Sequence, residues 1–382
     1  MKANFKGQHY RTGKPIDIRV NGGRIVEVEE GLASEGEFYL APGLVDLQVN
    51  GFKGIDFNSG LLTADEVCEL TRFLWEAGVT TYLPTLITNS DEGIAKAIEA
   101  IVAACKADER VNASIGGIHL EGPFLSAEDG PRGAHPLKHI KAPDWELFRS
   151  WQKLAEGRIQ LMTMAPEWPE AEGFIKKCTA SGVLVSIGHT AASPLQIQTA
   201  IGAGATMSTH LGNATHLSLP RHENYIWEQL ASDKLWASII ADGFHLPKAM
   251  LEVFVKVKKG RCILVSDCTK FAGLAPGSYD SHIGGRIELS KEGRLFIKEE
   301  PKMLAGSAQS LAWCVDHLTN SGILPLSEAL DMASVKPMEL LGANKALGLT
   351  KGASADFIVF ERRADTIEIV RTVKSGATVY QR

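Results

Sequence analysis

No two cysteines in this 382-residue chain stand in C-x-x-C spacing, so the sequence offers no zinc ribbon and no dithiol redox motif. The six that exist (Cys68, Cys105, Cys178, Cys262, Cys268 and Cys314) are scattered, a pattern that suits reduced thiols in a cytoplasm better than a disulfide framework. Long apolar runs are also missing. None approaches the roughly 20 residues that a membrane-spanning helix requires. The first ten residues, MKANFKGQHY, lack the apolar centre of a secretory signal. A cytoplasmic protein without membrane contact is therefore expected. Nor is there an excess of positive charge: the net charge of −5 gives no electrostatic reason to expect nucleic acid. Any anionic ligand would need a local cation. There is no low-complexity segment and no internal repeat.

What the chain does hold is core-forming material, 45% hydrophobic residues against 22% charged, enough for one large domain or two ordinary ones. Residues 1–40 read as short strands. KPIDIRVNGGRIVEVEE alternates apolar and polar residues on both sides of Asn-Gly-Gly, a hairpin signal. The end of the chain, ASADFIVFER and TIEIVRTVKSGATVYQR, is strand-like again. Two such ends are too small to build separate cores and are expected to pair.

Between them, short apolar runs alternate with helical patterns. Strands are expected at 43–50, 79–84, 114–120, 158–164, 183–188, 205–210, 236–241 and 262–267. Helices are expected at 90–106, 193–203 and 246–258, and after Thr63, which stands in capping-box spacing with Glu66 ahead of Gly78. Eight strand–helix units over about 250 residues suit a (β/α)8 barrel. A doubly wound open sheet is the alternative, weakened by the lack of G-x-G-x-x-G after the first unit.

Within the first strand, GLVDLQVNG places Asp46, Gln48 and Asn50 at alternate positions. Alternate side chains share one face, and burying three polar groups without partners is costly. Either the strand end opens into a wet or metal-bearing cavity, or the strand reading is wrong. The other strand ends favour the cavity. Strand three ends at Glu121, strand five at His189, strand six at His210, strand seven at Asp242 and His245, strand eight at Asp267. Barrel enzymes assemble their sites at the carboxyl ends of the strands. Singly, each residue has a plain structural use, as a helix cap or a hydrogen-bonded histidine. Together, one carboxylate and two imidazoles on three strands supply three metal ligands and leave a position for water. A divalent cation there lowers the pKa of water to about 7, and Asp267 could take the water's proton and return it to a leaving group.

The segments APGLVDLQVNG, GIHLEGPF, SIGHTAA, STHLGNA, ADGFHL, LVSD and LAGS follow one another, over residues 41–307, in an order that resembles the N-acetylglucosamine-6-phosphate deacetylases of the amidohydrolase superfamily. ASVKPMELLGANKALGLTKGASADFIVFE is similar to that superfamily's return into its small β domain. The resemblance implies an α/β fold, a TIM barrel of the metal-dependent hydrolase type at 43–343. A small β-sandwich would be built from both chain ends, 1–42 and 344–382. It implies Glu121, His189 and His210 as ligands of one divalent metal ion per chain, zinc first and iron(II) second, with Asp267 as catalytic residue. Substrate contacts are implied for Ala134, His135, Asn213, Ala214, His245 and Leu304, with His139 near His135. Arg221, eleven residues beyond His210, falls on the family's phosphate-binding arginine, often supplied by the other subunit of a homodimer.

Many amidohydrolases carry His-x-His where this chain has Gln48 and Asn50. Neutral amides are poor zinc ligands, so the pair is expected to line a vacated second-metal site, as in a mononuclear subgroup, or to serve as a polar plug of the barrel mouth. The chain departs from the family at RHEN (221–224), where Arg-Glu-Pro-Gly is usual, and at Lys270, where small residues are usual. Arg221 could instead be a solvated residue at a helix start. The implied reaction is removal of the N-acetyl group from N-acetylglucosamine 6-phosphate. Two other readings stay open: hydrolysis of another amide, such as an epimeric or unphosphorylated acetamido sugar, and a catalytically silent sugar-phosphate scaffold.

Overall fold

The structure is a computed structural model that describes residues 2–31, 38–281, 285–342 and 346–382. Its centre is an eight-stranded parallel sheet: β1 (Leu44–Val49), β2 (Val79–Ile87), β3 (Ile118–Glu121), β4 (Ile159–Met164), β5 (Leu184–Ile187), β6 (Met207–Ser208), β7 (Trp236–Ile239) and β8 (Cys262–Leu264). Neighbours pair in chain order. The last strand returns to the first: Val49 bridges Cys268 in parallel, and the Asn50 and Gly51 amides donate to the Cys268 carbonyl. That contact closes the sheet into a barrel. A buried cluster of Val45, Leu47, Leu83, Leu161, Met207 and Ile263 draws on five of the strands and stands apart from the main core.

Local chemistry forms the helices where the sequence predicts them. Thr63 and Glu66 make the reciprocal capping box at the start of Ala64–Glu76. Ser193 and Gln196 make a second one before Pro194–Ala203. Gly22 and Gly23 both have positive φ, the geometry of a two-residue hairpin turn, and join Pro15–Asn21 to Arg24–Glu30.

Both chain ends meet in one seven-stranded sheet. Tyr39–Pro42 is the seam, parallel to Lys2–His9 on one side and antiparallel to Phe357–Arg363 on the other. The junction expected at 343–344 lies outside the described residues.

Several strands end away from expectation: β2 runs on to Ile87 past 84, and β7 stops at Ile239 short of 241. β3 starts at Ile118 rather than 114, because Asp108 caps a short helix, Glu109–Ser114, ahead of it. β6 and β8 are shorter than 205–210 and 262–267 because the chain turns out of the sheet before His210 and Asp267. A feature absent from the sequence reading is a four-stranded antiparallel sheet, Gly277–Ser281, Gly285–Leu289, Leu295–Ile297 and Glu300–Leu304. Its Ile287, Leu289 and Leu295 pack on Phe271, just after β8.

Candidate metal centre

The three ends of β3, β5 and β6 bring Glu121, His189 and His210 together. Glu121 Oε1 lies 3.3 Å from His189 Nε2 and 3.1 Å from His210 Nε2, and the two nitrogens are 3.1 Å apart. Metal–ligand bonds of about 2.0–2.1 Å in tetrahedral geometry put ligand atoms roughly 3.3 Å from one another. The triangle therefore has the edge lengths of one face of such a site. His189 directs Nδ1 to the Pro131 carbonyl at 2.9 Å, which leaves Nε2 as a bare donor atom for the centre. All three residues are buried, and their ligand atoms lie within 4.8 Å of one another. The donor set fits one divalent cation.

Asp267 stands beside this triangle. Burial, then the charge of Glu121, pushes its carboxyl up to about 6. Glu121 is held well below the ordinary carboxylate range: its two imidazole partners outweigh the burial that acts in the other direction. His189, His210 and Asp267 all have positive φ, at 51°, 30° and 48°. Non-glycine residues rarely adopt this region, and such strain clusters at functional sites. Here it turns each chain end off its strand.

In the polar stripe, Asp46 and Gln48 on β1 are buried and Asn50, just past it, is half-buried. Asp46 accepts from the Gln48 and Ser266 amides, and burial pushes its carboxyl up to about 7. Gln48 Nε2 donates to Glu121 Oε1 at 3.0 Å, and Asn50 Nδ2 to Asp267 Oδ1 at 2.7 Å. Both amide nitrogens are thus committed to carboxylates. Both amide oxygens are buried with no partner among the described residues. An amide N–H offers a cation no lone pair, and the two oxygens remain as acceptors.

His135 comes into the same site. Its ring meets that of His189 edge to face at 4.3 Å, and its Nδ1 pairs with Thr88 Oγ1 at 2.8 Å. Burial, then the nearby His189, pushes it down to about 3, so the ring is neutral. His139 sits away in the turn Leu137–His139. Ala134 is exposed one residue before His135. Asn213 Nδ2 donates to the His210 carbonyl at 3.2 Å, and Ala214 follows with φ of 49°. These two residues line a crevice that His189 also borders. Leu304 is half-buried at the end of the four-stranded sheet. Arg221 is exposed, and among the described residues only its carbonyl has a partner, Trp227 Nε1. Lys270 is drawn off to Asp56 at 3.8 Å and to the ring of Phe271.

Sequence reasoning missed Thr88, the Pro131 carbonyl and a buried hydroxyl chain under the site. In that chain His119 Nε2 pairs with Thr163 at 2.7 Å, Thr163 with Thr209 at 2.7 Å, and Thr209 with Ser186 at 2.6 Å. Of these, only His119 carried a signal, two positions before Glu121 on the same face.

A closed parallel barrel with a buried carboxylate–imidazole triad at its carboxyl end and a second carboxylate beside it defines a metal-dependent hydrolase scaffold. The amidohydrolase family model matches residues 39–381, and the chain belongs to that family, on its N-acetylglucosamine-6-phosphate deacetylase branch. The human N-acetylglucosamine-6-phosphate deacetylase is 33% identical over 97% of this chain and 93% of its own. A deacetylase of this name from Mycobacterium smegmatis was solved as a variant in complex with N-acetyl-D-glucosamine 6-phosphate. It is 26% identical, with a TM-score of 0.86 over 99% of both chains. The N-acetylglucosamine-6-phosphate deacetylase of Pasteurella multocida matches with the same identity, TM-score and coverage.

Proposed function

We propose that this chain hydrolyses the N-acetyl group of N-acetylglucosamine 6-phosphate, releasing glucosamine 6-phosphate and acetate. The observation that carries the reading is the Glu121–His189–His210 triangle with Asp267 beside it. A silent scaffold has no use for a water-activating set, and the Gln48–Asn50 pair speaks against enzymes that depend on a His-x-His metal pair. The relatives that carry the deacetylase name extend over most of the chain.

Glu121, His189 and His210 hold one divalent cation, zinc first and iron(II) second. When bound, the cation supplies Lewis-acid polarisation and water of lowered pKa. Asp267 takes the proton of the attacking water. It returns that proton to the nitrogen as the C–N bond breaks, a role that a carboxyl near 6 can fill in both directions. His135 Nδ1 pairs with Thr88 Oγ1; with the hydroxyl as donor in that pair, the ring proton sits on Nε2, where it stabilises the developing oxyanion. The free oxygens of Gln48 and Asn50 accept from water or substrate. Ala134, Asn213, Ala214, His245 and Leu304 contact the sugar phosphate.

Arg221 takes the phosphate of the partner site in a homodimer. In support, the surface around it exposes Leu217 fully and Trp227 by half, apolar area that a second copy would cover. All six cysteines are free and buried, which suits a cytoplasmic enzyme, and no described helix is long and apolar enough to cross a membrane. Residues 43–343 act as the catalytic unit, flanked by 1–42 and 344–382.

Acetate release should be measured from N-acetylglucosamine 6-phosphate, its galactosamine epimer and the unphosphorylated sugar, alongside metal analysis of the purified protein. Fastest release from the first, with one metal per chain, supports the proposal. Two stoichiometric metals, or activity without any, would overturn it.

A further inference from the structure

The loop after β7, Ala-Asp-Gly-Phe-His, is organised around Asp242. The carboxylate is buried and accepts three hydrogen bonds from its own loop. Oδ1 takes the backbone amides of Phe244 (2.8 Å) and His245 (2.9 Å), and Oδ2 takes the ring of His245 at Nδ1 (2.7 Å). Burial alone would raise the Asp242 carboxyl. These bonds and the imidazole beside it outweigh that and hold it low, as an anion that only accepts.

The loop is clamped from behind by the helix Leu311–Asn320. Trp313 Nε1 donates to the Asp242 carbonyl at 3.1 Å. The His317 ring packs so closely on Gly243 that a Cβ there would fall 2.8 Å from it, at a φ of 87°. The side chain of His245 is 9% exposed, and no described residue bonds its Nε2. The titratable groups that face the pair are Asp267 across the barrel mouth and, on the helix behind Asp242, His317 and the buried Cys314.

A carboxylate that can only accept needs a donor opposite it, so His245 carries a proton on Nδ1. We propose that Asp242 is a positioning residue for sugar recognition: it fixes the His245 tautomer so that Nε2 meets the substrate as an acceptor and selects a hydroxyl donor there. This rests on the reading of His245 as a sugar contact.

Asp242→Asn tests it without ambiguity of rotamer. The Phe244 and His245 amides retain the carboxamide oxygen, so its NH2 must face Nδ1, and the ring proton is driven to Nε2. In 15N-labelled, zinc-loaded enzyme, long-range 15N–1H spectra of the wild type should show His245 protonated at Nδ1 and bare at Nε2, inverted in the variant. KM for N-acetylglucosamine 6-phosphate should rise about tenfold or more with kcat nearly unchanged, since a binding contact is lost. In a His245→Ala background, Asp242→Asn should add no further loss.

A wild-type proton on Nε2 overturns the proposal, and that measurement needs no variant to fold. An equal loss in the His245→Ala background overturns it in favour of a purely structural Asp242. An inverted tautomer with unchanged KM overturns the sugar contact of His245 and leaves the metal-dependent hydrolysis standing.

Discussion

Asn50 Nδ2 donates to Asp267 Oδ1 at 2.7 Å, tying the end of the first barrel strand to the turn that follows the last. The bond occupies one oxygen of Asp267 and leaves the other for proton transfer. It also favours the carboxylate, opposing the burial that raises its pKa. Asn50→Ala removes this restraint without touching the metal triangle. It is expected to keep full metal content, lower kcat roughly 3- to 30-fold and shift the acidic limb of the pH–rate profile upward. A profile unmoved from the wild type would count against the coupling.

Asp267→Asn keeps the shape of the side chain and removes its ability to carry a proton. Turnover should fall by roughly 10²–10⁴-fold, while metal content, measured by elemental analysis, stays close to that of the wild type. Near-full turnover would make Asp267 a structural residue.

Arg221 is exposed, and its guanidinium has no partner among the described residues, so its contribution is expected to lie in the assembled enzyme. A guanidinium matches phosphate oxygens bidentately. Arg221→Ala should raise KM for the 6-phosphate by about one to two orders of magnitude, the size of one charged hydrogen bond. The same change should scarcely alter kinetics on the unphosphorylated sugar. Equal losses on both substrates would mean that Arg221 supports its loop.

Asp316 gives a pH dependence of stability outside the site. It is buried in the helix Leu311–Asn320, with Oδ2 accepting from the Ile367 amide at 2.9 Å and Oδ1 unpartnered among the described residues. Burial pushes its carboxyl up to about 6, above the ordinary value of 3.8. A folded-state pKa above the unfolded one means that the fold prefers the protonated acid. Its contribution is complete below pH 4 and is lost as the pH rises from about 4 to 6. Asp316→Asn should therefore raise the melting temperature by about 2–4 °C at pH 7.5 and by little at pH 4.5. A loss of stability at pH 7.5 would refute this.

Taken alone, the sequence determined the element types and the chemistry of the strand ends. Alternation, capping boxes and Asn-Gly-Gly act over a few residues, so their signals are local and survive without tertiary knowledge. The candidate ligands were legible for the same reason: Glu121, His189, His210 and Asp267 each close an apolar run. Tertiary structure alone decided what those residues touch. Gln48 reaches Glu121 across 73 positions, Asn50 reaches Asp267 across 217, and Trp313 holds the Asp242 carbonyl across 71. No local pattern encodes such contacts, because barrel closure creates them. The four-stranded sheet at 277–304 escaped notice for a related reason. Its strands are short and largely exposed, with burial confined to Ile287, Leu289 and Leu295. Their apolar alternation spans only Ile287 and Leu289, too short a run to announce a strand, and the sheet packs on Phe271.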